Sequence, residues 1–249
     1  MDDYVRHDRR LALVEPAVTS PGSVRNARAV QHLKEGFNRR VLMLDASFRF
    51  LQNKAAEAGG KPISVYTATD LAIHLNAFYL NLCGALDNLA WVLQYEHQVI
   101  PGVDELGPMR LKIGLFGKAF LEGLAKPAPD LTSTLRKHEA WNAGLKDLRD
   151  PAAHRIPIYA VPGVLNQAQA QEVERLWQEV NRLLKSGDHR AGTDLMFEAQ
   201  SIGAYQPLMT LSHESKYEVF GIVEQIGKDD EEFVTVSDAV LQHLFVSRP

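Results

Sequence analysis

The stretch from Leu148 to Arg155, LRDPAAHR, holds two side chains whose types suit the cleavage of RNA. An RNA phosphodiester carries its own nucleophile, the 2′-hydroxyl, so cleavage needs a proton carrier and a cation that stabilises the negative charge building on the phosphorane. His154 suits the first task because histidine titrates near neutral pH. Arg149 suits the second because its planar fork bonds two phosphate oxygens at once. This chemistry needs no metal ion, and no Cys, His or carboxylate cluster has metal-ligand spacing. We therefore expect neither a metal nor a cofactor.

Spacing alone does not identify such a site. An arginine followed after four to six residues by a histidine also occurs at Arg25–His32 and at Arg182–His189. Only Arg149–His154 follows a predicted core helix and contains a proline. The structural alternative is a helix C-terminus, where both cations bond the last carbonyls and complement the helix dipole. The sequence leaves both interpretations open.

Three further charged residues are candidates for supporting roles. Asp150 either orients Arg149 or is an ordinary turn residue. Arg155 either grips a second phosphate or forms an exposed ion pair. Asp87 lies on a largely apolar predicted helix, where an unpaired carboxylate is costly to bury. We therefore expect Asp87 either to have a cationic partner, such as Arg149, or to face solvent.

Two long amphipathic helices are predicted ahead of this stretch, because apolar residues recur at steps of three, four or seven. The first stripe comprises Val30, Phe37, Val41, Leu44, Phe48, Leu51 and Ala55. The second stripe comprises Leu71, Leu75, Phe78, Leu82, Leu86, Leu89 and Leu93. Glycines and a proline at 59–62 separate the two helices. The pattern predicts an antiparallel hairpin whose second helix, apolar on most sides, lies in the middle.

Several other residues with chemical potential have simpler explanations. His74, Asn81 and Asn88 recur every seven residues, which favours a polar seam against a neighbouring helix over a site. His138 lies on an apolar stripe and is expected to be a paired core histidine. Cys83 lies mid-helix among apolar residues, where a thiol is usually inert. Core anchors are expected at the tryptophans Trp91, Trp141 and Trp177.

The second half of the chain is predicted to change character. A helix with its stripe at 131–148 should stop near Asp150, because Pro151 disfavours helix at the preceding residue. A strand at 155–161 and a helix at 166–187 follow. Three strand-like runs at 205–212, 217–226 and 232–236 precede a short helix at 237–245. The charged run KDDEE at 228–232 is expected to be an exposed turn.

These elements predict a mainly α protein: an antiparallel helical bundle with a small C-terminal appendage that contains β-structure. The predicted domains are an N-terminal arm (1–20), a helical domain (21–189) and a small α+β appendage (190–249) packed on it. A protein that coats nucleic acid non-specifically is usually basic, whereas this chain of 249 residues has a net charge of −4, so any nucleic-acid contact is expected in a local patch. The single cysteine and the lack of an apolar run of membrane-spanning length predict a cytoplasmic location.

LRDPAAHR after a long helical hairpin resembles the signature of the HEPN superfamily. These α-helical domains are known from toxin–antitoxin systems and from RNA-targeting CRISPR effectors. Their motif is Arg, four to six residues, then His, often with a polar residue after the arginine, as Asp150 is here. Residues 74–93 are similar to the family's central helix, with Asp87 at the place of its polar residue. The resemblance covers about residues 24–185 and implies a HEPN-like bundle.

The resemblance implies a metal-independent endoribonuclease, with Arg149 stabilising the pentacoordinate phosphate and His154 acting as general acid and base. It implies a homodimer that brings two motifs together across a cleft, and a toxin or defence setting with an antitoxin or another protein as partner. Pro157 and the strand-like run after the histidine depart from the family pattern. The alternative is a non-catalytic HEPN-like module that binds a partner protein or a nucleotide.

Overall fold

A computed structural model describes residues 3–19, 22–103, 107–154, 156–213 and 216–245. Over these ranges the chain is mainly helical, with one small antiparallel sheet of three strands towards the C-terminus. The chain divides into two compact units. The first unit comprises Met1–Arg49, Asn76–Arg155 and Gln225–Pro249, and the second comprises Phe50–Leu75 and Ile156–Glu224. The predicted domain boundaries after residues 20 and 189 stay predictions.

The N-terminal third of the chain folds into helices. These are α1 (Asp3–Ala12), α2 (Glu15–Thr19), α3 (Ala27–Gln31), a π-helical turn (His32–Phe37), α4 (Asn38–Ala55) and α5 (Val65–His97). Asn26 is the N-cap of α3, and its side chain accepts hydrogen bonds from the backbone N–H groups of Arg28 and Ala29. The π-helical turn joins α3 directly to α4, so residues 27–55 form one helical run.

This run and α5 form the predicted antiparallel hairpin. His32 lies beside Asn88, Arg40 beside Asn81 and Phe48 beside Phe78, so partner numbers fall as the chain advances. Both predicted apolar stripes are buried, apart from Val30, which is half-buried. Burial of these stripes is the main force that holds the hairpin together.

The polar seam predicted on α5 also faces the preceding helix. His74 stacks on Phe50 with 3.9 Å between ring centroids, and Asn81 accepts from Arg40 Nη1 at 3.4 Å. The Nδ1–H of His32 donates to Asn88 Oδ1 at 3.1 Å. The heptad spacing of these residues therefore marks a helix contact, as expected.

A 3₁₀ turn (Pro108–Lys112) precedes the remaining helices. These are α6 (Lys118–Leu124), α7 (Pro129–Arg136), α8 (Glu139–His154), α9 (Gln167–Lys185), α10 (His189–Gln200) and α11 (Ile222–Phe245). Helix α8 runs through Pro151 to His154, so the predicted stop near Asp150 is wrong. Proline removes one backbone donor, but the buried Leu145 and Leu148 fix the preceding turns of the helix.

The sheet consists of β1 (Tyr159–Ala160), β2 (Leu208–His213) and β3 (Lys216–Gly221), with β2 in the middle. The third predicted strand, at 232–236, is wrong because α11 begins directly after β3. Its β-branched residues favour a strand locally. However, buried apolar residues recur at steps of three, four or seven through this segment, and this helical period prevails. They are Ile226, Phe233, Val236, Val240 and Leu244.

The KDDEE run lies inside α11, so the expectation of a turn is wrong for the whole run, and the expectation of exposure is wrong for its two aspartates. Asp229 and Asp230 are 2% and 1% exposed. Asp229 accepts hydrogen bonds from the Tyr79 hydroxyl (3.1 Å) and from Trp141 Nε1 (3.0 Å). Asp230 accepts from Arg10 Nη1 at 2.8 Å. Hydrogen bonds to specific partners therefore offset the cost of burying these carboxylates.

The second unit contains the sheet together with α9 and α10. The turn after α4 is tied to a distant segment by backbone hydrogen bonds from Gly59 N to Tyr205 O and from Tyr205 N to Gly60 O, each 2.9 Å. Gly59 has a φ of +87°, which favours glycine at this turn. Among the described residues, no helix combines the length and the apolar character needed to cross a bilayer.

Candidate functional site

Arg149 lies in a groove of the first unit, which we call the α5–α8 groove. The groove has a volume of about 230 Å³, and the segment 111–117 forms its third wall. From the two helices it is lined by Cys83, Leu86, Asp87, Asn142, Lys146 and Arg149. The three α8 residues stand at positions i, i+4 and i+7, so they project from one face of that helix. Two cations and an amide therefore face one concave surface.

Asp87 satisfies both alternatives that the sequence left open for it. Its side chain is exposed to solvent, and it also lies among the cationic groups of Arg149, Arg40 and Lys146. The surrounding protein atoms keep water away from part of the Asp87 carboxyl group, and this desolvation raises its pKa above the ordinary value. The three cations lower the pKa but do not compensate. Asp87 thus supplies a counter-charge to a cluster that a bound phosphate would also neutralise.

Asp150 contacts Arg149 directly. The Nε of Arg149 lies 3.1 Å from Asp150 Oδ1, yet this buried nitrogen makes no aligned hydrogen bond. The side chain of Arg149 is 34% exposed. The guanidinium therefore has a loose ion pair on one edge and access to the groove, which suits a group that would take a phosphate as its partner.

The second member of the predicted pair, His154, is the last residue of α8. Its side chain, and all of Arg155, lie outside the described residues. In a regular helix, five positions correspond to about 7.5 Å along the axis and about 140° around it. The backbone positions of Arg149 and His154 are therefore close along α8 but are rotated relative to each other.

Cys83 lies in the groove but is not a nucleophile. Burial raises the pKa of its thiol to about 12, and the opposing effect of Arg149 does not compensate. The nearby carboxylates of Asp87, Asp150 and Asp229 raise this pKa further. Because the thiolate is the reactive form, this cysteine is inert at neutral pH, in agreement with the sequence analysis.

Sequence reasoning missed Lys146, Asn142 and Arg40 as parts of this site. The i, i+4, i+7 spacing of polar residues with Arg149 could have identified the two on α8. Arg40 has no such signal, because its guanidinium group packs against α5 at Gly84, where a side chain is missing. A Cβ built there would lie 2.5 Å from the Arg40 guanidinium carbon. The close approach of the two helices, rather than a motif, brings this cation near Asp87.

His138 is not part of the groove residues. Its Nδ1–H donates to Glu232 Oε2 at 2.5 Å, so it is a paired histidine, as expected. Within the described ranges, no group of three or more His, Cys, Asp or Glu residues is arranged to hold a metal ion. The candidate chemistry of the first unit therefore centres on the cations of the α5–α8 groove.

Comparison with protein-family models, with curated proteins and with solved structures finds no match to this chain. The resemblance to the HEPN superfamily accordingly stays a prediction that rests on the motif and on the central helix.

Proposed function

We propose that this chain is a metal-independent endoribonuclease of the HEPN type, which acts as a cytoplasmic homodimer in a toxin–antitoxin or defence setting. One observation carries the proposal: Arg149 opens into a groove beside Lys146, on a helix that ends at His154. A long helical hairpin precedes this helix, in the order in which the HEPN pattern places them.

The proposed reaction uses the substrate's own nucleophile. The 2′-hydroxyl of a ribose attacks the adjacent phosphorus, and the bond from phosphorus to the 5′-oxygen breaks. His154 takes the proton from the attacking oxygen and returns a proton to the leaving oxygen. Arg149, with Lys146 nearby, stabilises the charge on the phosphorane oxygens. The products are a 2′,3′-cyclic phosphate and a 5′-hydroxyl.

A second candidate is a non-catalytic module that binds a nucleotide or an anionic partner in the same groove. The observation that favours it is the presence of Asp87 and Asp150 among the cations. These carboxylates reduce the positive charge available to a long polyanion but still leave room for a single phosphate group. In this case the motif would recognise an anion without cleaving it.

Cleavage of a panel of RNAs in the presence of EDTA separates the two candidates. Arg149→Ala and His154→Ala should each reduce cleavage by about 100-fold or more, because each removes a group that acts in the transition state. Arg182→Ala and His189→Ala are matched controls with the same Arg-to-His pattern, and they should cleave like wild type. Circular dichroism and thermal melting check that each variant is folded.

A wild-type protein that leaves the whole panel uncut, with and without EDTA, would contradict the nuclease proposal. Binding of a nucleotide that is lost in Arg149→Ala but kept in Arg182→Ala would then support the binding module. Equal cleavage by wild type and His154→Ala would also exclude the proposed proton carrier.

A further inference from the structure

Three aromatic side chains of the first unit form a cluster at one end of the helical hairpin, which we call the aromatic stack. The rings of His32, Trp91 and Tyr95 have centroids 5.5 to 5.8 Å apart, with interplanar angles of 15° to 28°. The guanidinium of Arg28 lies over the Tyr95 ring, 5.7 Å from its centroid. Near-parallel rings with a neighbouring arginine are the components of a nucleobase platform.

The geometry of this stack is fixed by local features of the hairpin. His32 begins the π-helical turn, an irregularity that often occurs at functional sites. Its ring donates to Asn88 Oδ1, while Asn88 Nδ2 donates to the backbone oxygen of Gly84. A Cβ at Gly36 would lie 1.9 Å from Asn88 Oδ1, so only glycine leaves room for this amide. The chain thus holds the histidine ring parallel to its neighbours.

The stack is partly exposed and lies along α5 beyond the α5–α8 groove. None of the three rings is fully buried, so the expectation that Trp91 is a core anchor holds only in part. Asp87, Trp91 and Tyr95 follow each other at steps of four, which places them along one side of α5. Each step is about 6 Å along the axis. The stack therefore begins one helical turn beyond the residue that borders the groove.

We propose that the aromatic stack binds an unpaired nucleobase of single-stranded RNA whose phosphate lies in the α5–α8 groove. This inference rests on the proposed function and deepens it by adding a site for a base next to the site for the phosphate. Aromatic rings bind bases through their faces, which are available in single strands and are covered in a double helix. The stack would therefore select unpaired segments with little preference for base identity.

The test measures binding without cleavage. A single-stranded 2′-O-methyl oligonucleotide lacks the nucleophile, and an abasic oligonucleotide of the same length lacks the bases. Wild type should bind the abasic strand about 5- to 150-fold more weakly, which is the usual contribution of one stacked base. Fluorescence anisotropy of the labelled strands gives the two Kd values, and a duplex of the same sequence should also bind weakly.

Two variants of Tyr95 connect this preference to the stack. Tyr95→Leu should weaken binding of the base-containing strand towards the abasic value and leave the abasic Kd unchanged. Tyr95→Phe keeps the ring and should retain wild-type binding. Tyr66→Leu is the control, because Tyr66 is 81% exposed and lies in the second unit. If Tyr95 had a purely structural role, Tyr95→Leu would weaken the binding of both strands equally.

Equal affinity of wild type for the two strands would overturn the inference, as would the absence of binding or equal losses in Tyr95→Leu. Its failure can be told apart from failure of the proposed function. If the protein binds the base-containing strand more tightly but cuts no RNA, the inference about the aromatic stack stands and the nuclease proposal fails. If the protein cuts RNA but binds both strands equally, the nuclease proposal stands and the inference about the stack fails.

Discussion

Two buried aspartates of the first unit show how single residues are tuned by their partners. Burial raises the pKa of Asp229, and hydrogen bonds from the neutral groups of Gln225, Trp141 and Tyr79 do not compensate. Burial also raises the pKa of Asp45, but there the hydrogen bonds from His7, Arg10 and Arg49 prevail, and the pKa lies below its ordinary value. Asp45 differs from Asp229 in having two arginines among its donors.

We predict that Trp141→Phe destabilises the protein by about 1–3 kcal/mol, because it removes the hydrogen bond to Asp229 but keeps most of the ring. Loss of a donor raises the pKa of Asp229 further. An acid with a raised pKa stabilises the fold most below its unfolded value of 3.8, and this contribution falls as the pH rises through the folded pKa. The destabilisation should therefore grow from pH 4 towards neutral pH. Urea unfolding at several pH values measures it, with Trp177→Phe as the control.

Arg10→Met tests the opposite case. It leaves Asp45 and Asp230 without their buried guanidinium partner and should cost about 3–5 kcal/mol at neutral pH. The depressed pKa of Asp45 contributes stability above its unfolded value of 3.8, and this contribution is lost as the pH falls through the folded pKa. The destabilisation should therefore shrink below about pH 4. Arg49→Met, at an exposed arginine that binds the same carboxylate, should cost at most about 1 kcal/mol.

At the scale of the elements, the contact between the π-helical turn and α5 depends on a missing side chain. Gly36→Ala would place a Cβ against Asn88 and should destabilise the hairpin by about 1–3 kcal/mol. In the Asn88→Ala background the same change should be nearly neutral. Gly144→Ala on α8 is the control of opposite sign. A Cβ there meets nothing within 4 Å, and alanine should stabilise the helix by about 0.5–1 kcal/mol. Thermal melting of wild type, the two single variants and the double variant gives the coupling between Gly36 and Asn88, and equal costs of Gly36→Ala in both backgrounds would contradict the contact.

The cations on the groove side of α8 lead to a prediction about how RNA affinity depends on salt concentration. For a single strand, each neutralised phosphate contributes about −0.7 to the slope of log K against log salt. Lys146→Ala should therefore make this slope shallower by about 0.7, whereas Lys137→Ala, outside the groove, should not change it. Affinities of a non-cleavable RNA at several salt concentrations measure the two slopes. Identical slopes in wild type and Lys146→Ala would exclude Lys146 from phosphate binding.

The sequence predicted those elements whose apolar period is long and regular. The two stripes from Val30 to Leu93 indicated the hairpin, and its direction followed from the short connection. The part of α11 before residue 237 was missed, because Val234, Thr235 and Val236 favour a strand locally and the buried carboxylate of Asp229 looks like a surface charge in the sequence. Partners that decide such cases, such as Trp141, are far away along the chain and have no local signal.

The candidate site was predictable only in part, for the same reason. Arg149 was identified by its motif, and Asp87 by the cost of a carboxylate on an apolar helix. The aromatic stack depends on His32 and Tyr95, which belong to different helices, so no spacing within one helix could reveal it. The close approach of Asn88 to Gly36 and of Arg40 to Gly84 arises from the packing of helices, which the sequence pattern does not reveal.

At the scale of the whole molecule, the proposed nuclease requires two copies of the chain. Because each copy would supply one motif to a shared cleft in the proposed nuclease, we predict a particle of twice the 27.8 kDa chain mass at micromolar concentration. Light scattering coupled to size-exclusion chromatography measures this mass. A mass of one chain would contradict the shared cleft. With a net charge of −4 the overall field of the molecule repels RNA, so the proposed RNA binding would have to come from the groove and the stack.

The state of the single cysteine has a practical consequence for such experiments. Because the Cys83 thiol stays protonated well above neutral pH, maleimide dyes will react with it slowly. A cysteine introduced at an exposed position would be labelled first, without the need to mutate the native one. Distances between two copies, or between a dye and a bound oligonucleotide, could then be followed by energy transfer in an otherwise unaltered protein.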